Sequence, residues 1–213
     1  MDYTTLIASK TTPGSLKSWI NRDTIDPATI LGEAQALIYT TLRHWKMKND
    51  DTATMVIGSD ELTLPPDFID TTDFRITGIY AQRLRKGDDR AVHNRYIYDG
   101  NGVRINMQPC WFYLAACGAM FDYPADKAYP CLLSYFARPR PLGPLNLTNF
   151  LTNDAPRLLR TACMLSGVEF EKEVGQGQFD RSYWQQQFDK QLGEFQAMSD
   201  VAAMGYDAMA EFA

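Results

Sequence analysis

The chain is poor in the residues that carry covalent and metal chemistry. It has two histidines and four cysteines among 213 residues. Cys110, Cys117, Cys131 and Cys163 form no CxxC pair, and neither His44 nor His93 stands at a zinc-ligand spacing from them. No metal site is expected, and the thiols read as buried and free in a reducing compartment. No apolar run approaches the roughly 20 residues that cross a bilayer, so no membrane partner is expected. The opening Met1-Asp2-Tyr3-Thr4-Thr5 is not basic and leads into no apolar core, which argues against a signal peptide and for synthesis in the cytoplasm. A Walker A loop, GxGxxG and GxSxG are all missing, so no cofactor and no catalytic residue can be assigned. Glu169, Glu171 and Glu173 alternate, and a spacing of two sends neighbours to different faces of a helix, which makes them a poor carboxylate pair. A catalytic triad is spatial, so an enzyme with a scattered site stays open at this stage. Internal repeats and low-complexity tracts are also missing.

What the chain does have is an ordinary globular composition and an uneven charge. Hydrophobic residues are 45% and charged residues 22%, enough to bury a full core. Lys and Arg number 21 against 26 Asp and Glu, a net of -5, which is not the footprint of a dedicated DNA binder. Glu169 to Ala213 holds nine acids and three bases, a net of -6. Arg75 to Arg104 holds seven bases (Arg75, Arg83, Arg85, Lys86, Arg90, Arg95, Arg104) and three acids (Asp88, Asp89, Asp99). A basic middle followed by an acidic end reads either as solvated faces or as self-assembly, one copy's basic part meeting the next copy's acidic part.

Local patterns give the order helix, sheet, helix. In 1–50, Ser15 caps a short helix through Leu16, Trp19 and Ile20. Asp26-Pro27 starts a second, because a capping carboxylate precedes a proline at the first helical position. Its stripe of Ile30, Ala34, Leu37, Ile38, Leu42 and Trp45 predicts a helix reaching Arg43, Lys46 and Lys48. In 51–140, β-branched and aromatic residues alternate with polar ones. The expected strands are Thr54–Ile57, Glu61–Leu64, Arg75–Arg83, Arg95–Tyr98, Val103–Met107, Trp111–Ala115 and Cys131–Ala137. Lys86-Gly87-Asp88-Asp89 and Asp99-Gly100-Asn101-Gly102 are turn signals, making Arg83–Arg95 a basic hairpin of Arg83, Arg85, Lys86, Arg90 and Arg95. Pro139, Pro141, Gly143 and Pro144 form a stiff connector. In 141–205, Asn153 or Asp154 caps a helix through Leu158, Ala162, Leu165 and Val168 that ends at Gly175 and Gly177. A last helix starts near Asp180 with Trp184, Phe188, Leu192, Phe195 and Met198 on one face. From Ser199 the chain is expected to fray, with 206–213 as a flexible tail. The fold class is therefore α+β, a helical bundle from the two ends with an antiparallel β module inserted between them.

One ordered set of motifs is more specific. It runs Ser18-Trp19-Ile20-Asn21-Arg22-Asp23, Asp26-Pro27, Ile30-Leu31-Gly32-Glu33-Ala34, and then Leu62-Thr63-Leu64-Pro65-Pro66-Asp67-Phe68. It continues through Leu132-Leu133-Ser134-Tyr135-Phe136-Ala137-Arg138-Pro139, Thr148-Asn149-Phe150-Leu151 and Asp154-Ala155-Pro156-Arg157-Leu158-Leu159 to Trp184 and Phe188. This set resembles the head-to-tail adaptor (connector) proteins of tailed bacteriophages, the tail tubular A-like proteins. The resemblance implies a virion protein of the neck, with no catalytic residue and no cofactor. It implies a ring of copies, usually twelve, beneath the portal, which extends the DNA channel and receives the tail nozzle or tube; some adaptors also carry tail fibres. The family's C-terminal segment commonly docks on the portal. The matching stretch here is Asp200–Ala213, with Met204, Tyr206, Met209 and Phe212 as apolar anchors. The turns Lys86–His93 and Asp99–Gly102 are expected to meet the tail component. Passing DNA would slide without sequence-specific contact along an acidic lining. Another neck or tail-fibre attachment protein, and a DNA-binding regulator using the basic hairpin, are the competing readings beside an enzyme.

Overall fold

The computed structural model describes residues 2–20, 25–116, 118–173 and 181–210, and the side chains of all of these except 169–173 and 201–210. The helices are α1 Tyr3–Ile7, α2 Leu16–Ile20, α3 Pro27–Thr41, α4 Asp89–His93, α5 Phe150–Asp154, α6 Pro156–Glu173 and α7 Arg181–Ala210. The strands are β1 Lys48–Met55, β2 Glu61–Leu62, β3 Phe68–Ile76, β4 Gln82–Arg83, β5 Arg85–Lys86, β6 Trp111–Leu114, β7 Ala119–Phe121 and β8 Tyr129–Ala137. Together they make an α+β protein of two compact units: a helical one from Met1–Met47 with Arg138–Ala213, and a β unit, Lys48–Ala137.

The helical unit is organised by capping residues and one buried helix. The Asp26 carboxylate accepts the Ala28 N–H at 3.1 Å and Pro27 opens α3, as the sequence predicts. Ser15 Oγ accepts the Ser18 N–H at 3.1 Å at the start of α2. Helix α3 ends at Thr41, earlier than its apolar stripe suggests. Leu42 leaves the helix in an extended conformation, and Trp45–Met47 form a single 3-10 turn. The α6 cap also differs from expectation. Asn153 and Asp154 end α5, whose own N-terminus is closed by a capping box between Asn149 and Thr152. Pro156 then opens α6. Every α6 residue from Thr161 to Val168 is buried, as befits a central helix. It packs against α2, α3, α5 and α7. At Gly167 an added Cβ would stand 2.6 Å from Ile20 Cδ1, so glycine permits the approach of α2.

The connector that follows β8 is pinned by a buried amide. Gln35, 2% exposed on α3, accepts the Leu142 N–H at 2.7 Å through Oε1 and donates through Nε2 to the Leu31 carbonyl at 3.1 Å. Helix α7 buries Phe188 and Phe195, but Met198 is 67% exposed and Ser199 takes the inward position. Ser199 Oγ accepts the Trp45 N–H at 2.8 Å, so the chain is held where the sequence suggests fraying, and the helix continues to Ala210.

The β unit is a two-layer sandwich. One sheet has the order β1-β8-β3-β4, the other β2-β7-β6-β5. Both contribute to one core, where Phe74 of the first meets Phe112 of the second edge-to-face at 5.1 Å, with Met55, Ile76, Phe121, Tyr129 and Cys131 around them. All pairings are antiparallel except β5 with β6. The expected strand Arg75–Arg83 is two strands with a reversal between them. Gly78, at φ +80, starts a 3-10 turn through Tyr80, and Arg83 returns to pair with Arg75. Strand β1 begins at Lys48, earlier than its polar sequence suggests, and pairs with β8 along its whole length. The segments Arg95–Tyr98 and Val103–Met107 are not strands. They form an arm joined by the Tyr98–Arg104 bridge and the Ile105 N–H to Ile97 carbonyl bond at 3.0 Å.

Candidate functional site

Arg83–Arg95 is not a hairpin. The chain passes from one sheet to the other at Leu84, which is buried and donates its N–H to the Phe74 carbonyl at 2.8 Å. Asp88 then caps α4 by accepting the Ala91 N–H at 2.6 Å, so a helix stands where the sequence suggests a turn. Three of the five basic residues singled out by sequence lie beside carboxylates. Arg83 Nε is 2.7 Å from Asp73, Lys86 Nζ is 2.7 Å from Asp70, and Arg95 Nε is 3.8 Å from the fully buried Asp122. Arg85 and Arg95 both lie over the Trp111 ring, at 5.7 and 4.7 Å from its centroid. Arg90 is exposed on α4. The structure therefore brings Arg83, Arg85 and Lys86 together on one flank of the sandwich, and ties Arg95 instead to Trp111 and Asp122.

A groove of about 560 Å³ opens on that flank, lined by Thr71, Asp73, Arg83, Leu84, Arg85 and Lys86 among others. The buried Thr71 Oγ1 has no hydrogen-bond partner among the described residues.

A second surface was hidden from sequence reasoning. The large apolar residues exposed in the β unit are Val56, Ile57, Ile79, Tyr80, Ile97, Tyr98, Val103, Ile105 and Met107. Val56 and Ile57 follow β1, and Ile79 and Tyr80 follow β3. The ends of both strands meet the start of β8, where Met55 pairs with Tyr129 and Ile76 with Cys131. The base of the arm is tied to the same end. Met107 N–H donates to the Pro124 carbonyl at 2.9 Å, and Gln108 Nε2 to the Tyr80 carbonyl at 3.1 Å. Ile79 is 92% exposed, and such a grouping of apolar side chains is costly to leave in water without a partner. The alternation of Val103, Ile105 and Met107 looks like one buried strand face, and only the three-dimensional placement reveals that it is not covered.

Arg104 positions the arm. Its guanidinium pairs with Asp60, donates through Nη2 to the Phe121 and Asp122 carbonyls at 3.2 and 3.0 Å, and lies 3.7 Å from the centre of the Tyr96 ring.

The terminal helix is the third surface. Gln196 brackets the Arg43 backbone, accepting its N–H at 3.0 Å and donating to its carbonyl at 2.6 Å. Phe195 stacks on the buried His44 at 4.4 Å with the rings 3° from parallel. Burial holds the His44 imidazole below its ordinary value, with Lys46 acting in the same direction. Asp200 is exposed one residue past the Ser199 anchor, and Met204, Tyr206 and Met209 follow on the same helix. Phe212 lies outside the described residues. Beside α7 a groove of about 650 Å³ is lined by Asp154, Arg157, Lys190, Glu194, Phe195 and Met198 among others. His93 is exposed on α4, its Nδ1 2.6 Å from the Asp89 carboxylate. Among the described residues no three His, Cys, Asp or Glu gather as a metal site, and no helix is long and apolar enough to cross a membrane.

A comparison with the curated proteins finds no match. The profile of one protein family, the SU10 adaptor proteins, matches residues 1–209. Covering nearly the whole chain, from α1 through both sheets into α7, that match establishes that the chain belongs to the SU10 adaptor protein family and is a bacteriophage adaptor, a structural component of the virion.

Proposed function

We propose that copies of this chain close into a ring, twelve in number, at the neck of the virion, joining the capsid portal to the tail nozzle or tube and extending the channel through which the genome passes. The observation that carries this reading is the exposed apolar end of the β unit, which fits a surface covered in an assembly. Val56, Ile57, Ile79 and the arm from Ile97 to Met107, with the Asp99–Gly102 turn at its tip, receive the tail component. The far part of α7, with Asp200, Met204, Tyr206, Met209 and Phe212, docks on the portal. The anchor at Ser199 supports this division, because it fixes the helix just before the docking stretch. DNA passes without sequence-specific contact.

Two variants test the reading against purified portal and tail protein in co-sedimentation. Deleting Asp200–Ala213 abolishes pelleting with portal and leaves the circular dichroism of the remaining chain helical. Replacing Ile79, Ile97 and Val103 with serine abolishes binding of the tail component and spares the portal. Portal binding that survives the deletion, or tail binding that survives the serine variant, contradicts the corresponding assignment.

A further inference from the structure

The two flanks of the β sandwich carry opposite charge. On one side the edge strands are β1 and β2, and on the other they are β4 and β5. Lys48–Leu62, which forms the first flank, holds Lys48 against Asp50, Asp51, Asp60 and Glu61, a net of -3. Gln82–Lys86, which forms the second, holds Arg83, Arg85 and Lys86; Arg83 and Lys86 each lie beside a carboxylate of β3, Asp73 and Asp70, and with those two counted the flank is net +1. Asp60 is paired with Arg104 within the unit, but Asp50, Asp51 and Glu61 are exposed.

Strand β1 is also bare in a way its length does not explain. It pairs with β8 over eight residues, yet six of its first seven residues are exposed, and only Ala53 is partly covered before Met55. A long edge strand leaves a row of unpaired backbone groups, and natural sheets guard such edges with charge, as Asp50 and Asp51 do here. The opposite flank offers a counterpart, the groove beside Arg83, Arg85 and Lys86, whose wall holds the Thr71 hydroxyl that finds no partner among the described residues.

We infer that the β1–β2 flank of one copy docks on the β4–β5 flank of the next, setting Asp50, Asp51 and Glu61 against Arg83, Arg85 and Lys86. Two different complementary faces on one chain give a heterologous contact, which closes into a ring when the rotation per copy divides the circle. This deepens the ring reading given above and rests on it. It replaces the acidic C-terminal segment with the β1–β2 flank as the partner of the basic residues.

Charge reversal with rescue tests the contact. Full-length D50K/D51K/E61K and full-length R83E/R85E are compared with wild type and with the chain carrying all five changes. Sedimentation velocity of protein alone in 50 mM salt and electron microscopy on purified portal are the readouts. Each single-flank variant weakens association between copies at least about tenfold and leaves broken or absent rings, while the five-change chain restores both, because each flank again meets its opposite. Added salt weakens the wild-type contact. Circular dichroism identifies any variant that fails to fold, and recovery in the five-change chain, which carries every substitution, separates contact from folding. Wild-type rings with undisturbed single-flank variants overturn the flank assignment and leave the ring standing. A five-change chain that folds but forms no ring also overturns it. Wild type that forms no ring with or without portal overturns the ring reading itself.

Discussion

Arg104→Ala isolates what holds the apolar arm in place. Three polar partners and one ring meet this side chain, which is 20% exposed, and all four contacts are lost together. A net value of roughly 1.5 kcal/mol for each hydrogen bond from a charged donor would exceed 4 kcal/mol if the bonds were independent. They share one guanidinium, and the released carbonyls and Asp60 regain water when the arm opens, so the expected loss is about 2–3 kcal/mol. That is a rise of about 30- to 160-fold in the population of the open arm. Hydrogen exchange reads it at two amides. The Ile105 N–H donates to the Ile97 carbonyl at 3.0 Å, and the Val103 N–H to the Asp99 carboxylate at 2.8 Å. Both lose protection in the variant, whereas the Leu84 N–H in the sandwich core keeps it. Arg104→Lys falls between, because an ammonium retains the Asp60 charge pair but lacks the fork that reaches two carbonyls. Arm protection within threefold of wild type in Arg104→Ala refutes the reasoning, as would equal loss at Leu84.

Three further changes probe the scaffold. Gln35→Leu leaves the Leu142 N–H without its buried acceptor and lowers stability by about 1–3 kcal/mol in urea denaturation; a loss below about 0.5 kcal/mol contradicts it. Gly118→Ala brings a Cβ into collision with the Leu62 carbonyl oxygen, a backbone atom that cannot swing aside, and costs about 1–3 kcal/mol by thermal melting. The His44 imidazole is held below its ordinary 6.5 by burial among Phe150, Phe195 and Trp45. As pH falls below about 6.5 the unfolded chain takes up the proton first, so this contribution is lost down to the lowered folded value and is full above 6.5. Melting temperatures between pH 7.5 and 5 therefore fall less steeply in His44→Phe than in wild type; parallel curves contradict the assignment.

Local signals were legible in the sequence wherever neighbouring residues decide the conformation. Asp26-Pro27 announced α3, and the spacing of Phe188 and Phe195 announced the buried face of α7. Errors arose where distant residues decide. The basic segment looked like a hairpin because Lys86-Gly87-Asp88-Asp89 has turn chemistry, but Leu84 is drawn into the core between the sheets and Asp88 uses its carboxylate as a helix cap. Lys48 looked like the end of a helix because, with Arg43 and Lys46, it is a cation where the helix dipole favours one, but it opens β1. Its strand is made by backbone pairing with β8 and shows no buried face until Met55. Met198 fits the helical period, yet the inward place belongs to Ser199, whose hydroxyl finds the Trp45 amide. Of the candidate surfaces, the basic middle segment was visible in composition, whereas the acid was read at the C-terminal end and not on β1 and β2. The apolar end was not, because exposure of Val103 or Ile79 depends on what covers them.

Electron microscopy of purified portal mixed with this protein tests the central claim most directly. A closed ring of added density on the tail-facing end of the portal is the expected result. Portal left bare by folded protein would contradict it.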